Sequence, residues 1–505
     1  MTEPKKQSLG VPSWLPLALH GFFAILTIAL FWISPLPPLT DYPNHLARMF
    51  IAFNLGEVPG LDEAYRVQWR LAPYLALDAL LMLLQQVTDI YTAGKIVCSI
   101  AVLGLAVGVL ALNRALFGLI RWESLILWPF IFNLAFAFGF MNFLLGMGVA
   151  LLCVAGWIAL QPQPMSRRIL WLALFATLNF LCHALSFALF LLIIALYEII
   201  MTLSRWAGWR AALRHGACLC LGISPAILLF VALPDQVDAT PPHWGGWRQY
   251  QMGLRSPLWF TQHWVEDAML FLFAGIALIG MFTMPNPYRW LMLGLLAIAF
   301  AIPHYVLGVF LVNIRLPILW CLLVAGGLAA PMRPLWRGVF LMMFITFMAA
   351  SVWRLERLHT QLATCGDYAD ALRQGLAALP DTLPGKALLS VRDRENAPTR
   401  CGYGLHHMNT LAAIERRWFV PEIFTSLPPV SAAPAYAAID QLAPTTPFGR
   451  DIRQKLKDNP ASFWQTTKTQ YTYMLWIHYG NPIPDMAEHT EVLTEDPNFT
   501  LYEVR

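Results

Sequence analysis

Charge is scarce in this sequence: 13% of its 505 residues are Asp, Glu, Lys or Arg, against about 25% in an ordinary soluble domain. With 58% of the residues hydrophobic, that shortage excludes a water-soluble enzyme. Basic tracts are missing as well. The 34 Lys and Arg barely outnumber the 30 Asp and Glu, and they form no cluster that would grip a nucleic acid, so no nucleic-acid partner is expected. Eight cysteines are too few for a secreted disulfide scaffold. Metal-ligand spacings of the HxxxH or CxxC kind are absent, and so are GxGxxG, Walker A and GxSxG sequences. Nucleotide hydrolysis and a serine nucleophile therefore lack support. What the chain has in quantity is apolar and aromatic, with 31 Phe and 20 Trp, which excludes disorder and leaves a polytopic membrane protein.

A membrane helix needs about 20 apolar residues. Trp14 to Ile33 is the first such run; it follows Lys5 and Lys6 and lacks a small-residue cleavage site, so it reads as a retained helix. Further runs lie near 91–112, 124–140, 143–160, 168–182, 184–203, 217–233, 265–284, 289–307, 314–330 and 336–352. The expected fold class is mainly α, a helical bundle of about eleven spans. A cytoplasmic N-terminus puts Arg114 and Arg121, Arg167 and Arg168, Arg205, Arg210 and Arg214, Arg289, and Arg333 and Arg337 all on the inner side, as the positive-inside rule requires. The segment 72–88 is also apolar, but a span there would reverse every later loop, so it reads as a helix on the outer surface or against the bundle. The expected location is the cytoplasmic (inner) membrane, multi-pass, with the C-terminal region extracytoplasmic, that is periplasmic.

Half of the charged residues lie beyond residue 352. Composition thus divides the chain into a transmembrane domain over 1–352, with an outer loop at 35–90 carrying surface helices, and an extracytoplasmic α/β domain over 353–505. In the latter, 354–379 reads as a helix leaving the membrane and 448–458 as a second helix. Lys386–Val391, Tyr471–His478 and Thr500–Val504 read as strands. Cys365 and Cys401 are the two cysteines of this domain and are predicted to form a disulfide in an oxidising compartment.

Polar residues near the membrane are costly, so their clusters are informative. The strongest follows the first span, in Thr40-Asp41-Tyr42-Pro43-Asn44-His45-Leu46-Ala47-Arg48. On a helix, Asp41, His45 and Arg48 share one face and offer a general base beside a phosphate-binding group. The alternative for this face is a helix cap with Pro43 in the first turn and Arg48 paired to Asp41. Other outer-side candidates are Asn142 in a short turn, His183 at the tip of the 168–203 hairpin, His243 in the loop 234–264, and His304 and Arg315 flanking the turn before the tenth span. Arg315 breaks the positive-inside pattern, which argues for an anionic ligand or a buried carboxylate partner; snorkelling to headgroups is its plainer reading.

A first helix, an outer loop opening on an acidic residue and a surface helix resemble the GT-C superfamily of membrane glycosyltransferases, of which protein O-mannosyltransferases and aminoarabinose transferases are members. Ala72-Pro73-Tyr74 through Thr92-Ala93-Gly94-Lys95, continuing to Arg114-Ala115-Leu116-Phe117-Gly118, is similar to their second surface helix and second span. The resemblance implies transfer of a sugar from a polyprenyl-phosphate-linked donor to an acceptor hydroxyl at the outer face, the acceptor being a glycan, lipid or protein, among membrane lipids. It implies Asp41 as the catalytic carboxylate and Arg48 and Arg315, with His304, as ligands of the donor phosphate; His45, from its place on the same helix face, is the catalytic partner, and Asn142, His183 and His243, from their place on the outer side, are further lining candidates. The family often carries an adjacent acidic pair where Tyr42 follows Asp41 here, so no cofactor is fixed and a divalent metal stays an open expectation. Competing readings are a polysaccharide polymerase or ligase at the same face, a non-catalytic lipid-linked sugar binder, and a lipid or solute transporter. The last predicts inverted repeats and broken helices at the midplane, whereas the polar groups gather at one face.

Overall fold

The computed structural model describes residue 12 and residues 14–505, except 206–207, 233–239, 307–308, 381–386, 393–400, 402–404, 422, 424–428, 437–438, 440–451 and 479–483. The chain opens with α1 (Leu15–Trp32), started by a proline in its first turn. Three short helices follow, α2 (Tyr42–Asn54), α3 (Leu61–Ala64) and α4 (Leu75–Leu84), with the strand β1 (Tyr65–Val67) between the last two. The long α5 (Ile90–Phe117) is capped by the Asp89 carboxylate, which accepts the Tyr91 and Thr92 N–H groups. A 3-10 stretch (Trp122–Phe130), α6 (Leu134–Ala137), α7 (Met141–Ala159), α8 (Met165–Cys182), α9 (Ala184–Ser204), α10 (Trp209–Val231) and α11 (Trp247–Arg255) come next. Then follow α12 (Trp264–Met281), α13 (Asn286–Ala301), the hairpin β2 (Tyr305–Val306) and β3 (Val309–Phe310), α14 (Val312–Gly327) and α15 (Pro334–Ala377). The rest comprises β4 (Leu388–Arg392), α16 (Leu411–Glu415), β5 (Val430–Ala432), α17 (Ile452–Asp458), α18 (Pro460–Gln470), β6 (Tyr473–Ile477), β7 (Thr490–Glu495) and β8 (Phe499–Val504).

Among the described residues eight helices are long and apolar enough to cross a membrane, so the chain is a multi-pass membrane protein. The three other expected spans differ from a regular crossing helix. The run 124–140 becomes the 3-10 stretch and α6, because Pro129 lies inside it and a proline has no N–H for an α-helical bond. Helices α13 and α14 have 16 residues each, about 24 Å of rise, short of the ~30 Å hydrocarbon core. All 16 residues of α14 are buried, so α14 is the centre of the bundle rather than a lipid-facing span. The segment 72–88 holds only the ten-residue α4, which packs on α2 and α5. Residues 168–203 split as expected, with His183 between α8 and α9.

Helices α5 and α7 meet through glycines. A Cβ on Gly148 would lie 2.8 Å from the Gly104 carbonyl carbon, and one on Gly108 would lie 2.6 Å from Leu151 Cβ. Such small faces let two membrane helices approach and gain dispersion energy where no hydrophobic drive separates them from lipid.

The rise in charge at residue 352 falls inside α15, which runs unbroken out of the apolar region. Beyond it a sheet of order β4-β6-β8-β7 forms, with β4 and β6 parallel and the other neighbours antiparallel. Strands β4, β6 and β8 fall on the expected segments; β7 was not expected. Of the helix expected at 448–458, residues 452–458 form α17, and 448–451 lie outside the described residues. Cys365 and Cys401 form the predicted disulfide. Strand β1 pairs antiparallel with β5, which binds the loop after α3 to the C-terminal region.

Candidate active site

Asp41 is the residue before α2, but its side chain makes no cap hydrogen bond. The carboxylate is thereby left available while the backbone is fixed from outside. The turn before α7 provides the clamp: Thr40 N–H donates to the Ala137 carbonyl at 3.1 Å and Asp41 N–H to the Phe138 carbonyl at 3.0 Å. This approach requires glycine at 139. Its φ is +70°, and a Cβ there would lie 2.8 Å from Tyr42 N and 2.9 Å from Asp41 N. Gly139→Ala is expected to destabilise the protein by about 1–3 kcal/mol and to lower activity more than Gly118→Ala, where φ is also positive but the space is open. Thermal unfolding and turnover of both variants check this.

The Asp41 side chain is 15% exposed. Burial raises its pKa to about 7, and the positive charge of Arg315 pulls in the opposite direction. One turn on, His45 is lowered to about 3 by burial, then by the charges of Arg48 and His407, and is therefore a neutral imidazole at physiological pH.

Arg315 enters from the first turn of α14. Its guanidinium carbon lies 4.5 Å from the Phe140 ring centre and 4.9 Å from that of Phe143, a cation–π seat that holds a charge without neutralising it. Nη2 donates to the Phe310 carbonyl at 3.2 Å, and Nε is buried with no hydrogen-bond partner. Nη1 lies 3.4 Å from His183 Nε2. Because His183 Nδ1 accepts the Leu185 N–H at 3.0 Å, the imidazole proton is on Nε2. The Arg315 guanidinium and the His183 imidazole thus lie side by side.

Asp41, His45, His183 and Arg315 therefore belong to one electrostatically coupled group. Asn142 stands beside it, in the first turn of α7 just after Phe140, with a buried Oδ1 that has no partner. Arg48 acts on this group through its charge beside His45, but its guanidinium is engaged elsewhere. Its Nη2 bonds both Asp78 oxygens at 2.6 Å and its side chain is fully buried. The expected phosphate role is corrected: a guanidinium enclosed in protein needs a counter-charge, and α4 supplies it. His304 and His243 form a separate corner. The His304 N–H donates to the His243 carbonyl at 2.8 Å, and its Nδ1 is bonded to Asn313 Oδ1 at 2.9 Å. His304 is tied to the start of α14, where its carbonyl accepts the Val312 N–H at 3.0 Å, and the Phe310 ring meets it edge-on at 4.6 Å. The exposed His243 accepts the Gly245 N–H.

The sequence reading missed His407. Its Nε2 lies 3.6 Å from Asp41 Oδ1, and its side chain is 5% exposed. The adjacent pair His406-His407 in the C-terminal region was the available signal. Among the described residues no group of three or more His, Cys, Asp or Glu gathers around a possible metal position.

No protein-family model matches the sequence, and no curated protein matches it. The structure is similar to ArnT from Cupriavidus metallidurans in the apo state, with TM-score 0.50 and 12% identity over 96% of this chain and 98% of that one. The same protein bound to undecaprenyl phosphate gives TM-score 0.49 and 12% identity, over 97% and 98% of the two chains. The arabinofuranosyltransferase AftD from Mycobacteria gives 0.49 and 15%, over 96% of this chain and 40% of that one. Over nearly its whole length, then, the chain shares its fold with ArnT.

Proposed function

We propose that the protein is a glycosyltransferase that moves a sugar from a polyprenyl-phosphate donor to an acceptor hydroxyl, at the outer face of the cytoplasmic membrane. The observation that carries this reading is the electrostatic coupling of a partly exposed acid, Asp41, to Arg315, whose guanidinium lies beside His183 Nε2. Transfer needs both. Asp41 takes the acceptor proton as the hydroxyl oxygen bonds to the anomeric carbon. The bond from that carbon to the phosphate oxygen breaks, and the electron pair leaves with the phosphate. Arg315 Nη1 and His183 Nε2 stabilise the charge that develops there. The donor carries its own leaving group, so no nucleotide is required.

An apolar lipid chain also has somewhere to lie. A groove of about 380 Å³, lined by Trp244, Trp247, Tyr250, Phe300, Asn313 and Pro317, runs along the other side of α14 from the site. Its aromatic walls suit a prenyl chain better than a sugar-sized polar solute.

The test is mass spectrometry of lipids that remain with the protein in mild detergent. Wild type is expected to carry a polyprenyl phosphate or its glycosylated form, and Arg315→Ala to lose most of it, because a guanidinium forms strong charge-assisted bonds to a phosphate. Phospholipid alone, identical in both proteins, would overturn the assignment of Arg315.

A further inference from the structure

We infer that His407, delivered by the C-terminal region, is a positioning residue for Asp41: its imidazole holds the carboxylate oriented and ionised. The inference rests on the reading of Asp41 as the base, and goes beyond it by giving the C-terminal region a chemical part in the site.

The argument begins with how firmly His407 is held. Its carbonyl accepts the Thr410 N–H at 3.0 Å and the Thr410 hydroxyl at 2.7 Å, closing the 3-10 turn Met408–Thr410. That turn runs directly into α16, which packs on both α2 and α15. The far end of α16 is fastened by the hydrogen bond from the Tyr91 hydroxyl to Glu415. Six residues before His407, the Cys365–Cys401 disulfide binds the segment to α15. A side chain that only filled space would not need such fixing; one that must meet a carboxylate does, since orientation at a reacting group is worth more than contact area.

Geometry then selects the partner. The Nε2 to Oδ1 distance is 3.6 Å, a few tenths of an ångström beyond hydrogen-bond reach, and bonds of this kind commonly tighten when substrate binds. Among the described residues the other titratable or charged groups coupled in this cluster are His45 and Arg48 on α2, Arg315 on α14, and His183 between α8 and α9. Arg315 is seated on two aromatic rings and His183 is directed at Arg315. His407 is the group with an ion-pair contact to the Asp41 carboxylate among the described residues.

The experiment reads Asp41 itself and needs neither donor nor acceptor. In the purified full-length protein, infrared difference spectra across a pH series identify the Asp41 carboxyl by the band that disappears in Asp41→Asn. Removing the donor in His407→Ala is expected to raise the titration midpoint by about one pH unit, as loss of a hydrogen bond to the charged form does. His407→Gln keeps an N–H and is expected to return the midpoint close to wild type. An unmoved midpoint in His407→Ala, or an equal shift in both variants, would overturn the inference. If His407→Ala does not fold, the reciprocal measurement decides: the His407 imidazole, followed by nitrogen NMR and assigned with His407→Gln, should titrate at lower pH in Asp41→Asn, and an unchanged titration refutes the coupling. Coupling without any sugar transfer would leave this inference standing and remove the reading of Asp41 as a base.

Discussion

Asp41→Asn is expected to lower turnover by about 10²–10⁴-fold, the usual contribution of a general base, while the fold and the lipid content stay as in wild type. The pH dependence carries the sharper information. Burial holds the Asp41 carboxyl at about 7 despite the opposing charge of Arg315, so its basic form accumulates only as pH rises through neutrality. Turnover should therefore climb with pH and level off above about 7. Stability should run the other way. The folded protein binds the Asp41 proton more tightly than the unfolded chain, whose carboxyl titrates near the ordinary 3.8. Stability is then highest below that value, falls as pH rises towards about 7, and is flat beyond. The asparagine variant should lack both the activity rise and the Asp41 part of the stability slope. Initial rates and thermal midpoints across the pH range measure the two. A variant that keeps the wild-type rate and profile would remove Asp41 from the chemistry.

The same arithmetic explains why Asp41 was legible in the sequence. A carboxylate directly after an apolar run is expensive and therefore conspicuous, and Arg315 stood out for the complementary reason, a positive charge on the wrong side. Their nearness was not legible, because 274 residues of sequence separate them and only the packing of α14 into the bundle brings them together. Arg48 shows the opposite failure. Helical spacing placed it on the face of Asp41, but spacing says nothing of the third element, α4, whose Asp78 takes the guanidinium away. His407 was hidden by its surroundings: beyond its pairing with His406, a histidine in a polar region stands out little, and it becomes significant once α16 is seen against α2.

The spans followed a similar division. Hydropathy found the apolar segments because it measures transfer from water, but it does not ask how a segment satisfies its backbone. The run 124–140 is as apolar as its neighbours and yet forms a 3-10 stretch, a turn and α6 around Pro129 and Asn133. Strand β7 was missed for a related reason. Thr490–Glu495 carries Glu at both 491 and 495, and charge of that kind reads as loop although it also guards the free edge of a sheet, which is where β7 lies.

That irregular segment makes Arg354 the residue whose loss should cost most in stability. Irregular backbone is tolerated at membrane depth only where protein satisfies its carbonyls; Asn133 takes those of Phe130 and Ile131, and Arg354 takes those of Pro129 and Phe132 from outside the segment. Its Nη1 donates to the Pro129 carbonyl at 3.0 Å, and its Nη2 to the carbonyls of Phe132 and Leu258, the latter at 2.7 Å. Its Nε pairs with Glu266 at 2.7 Å, both side chains being buried. Arg354→Met keeps the length and removes every donor, leaving a buried carboxylate and three carbonyls without it. The expected loss is about 3–5 kcal/mol, read as a lowered thermal midpoint in detergent. The double variant Arg354→Met with Glu266→Met separates the two causes. If the buried carboxylate were the whole penalty, the double variant would recover wild-type stability, since apolar replacement of a buried pair is often neutral. If the carbonyls matter, recovery is partial. Activity should then stay low in both variants, because the Phe132 carbonyl lies directly before α6 and the turn whose Ala137 and Phe138 carbonyls hold Asp41. Full recovery of stability and turnover in the double variant would mean that the segment 122–139 keeps its shape by packing alone.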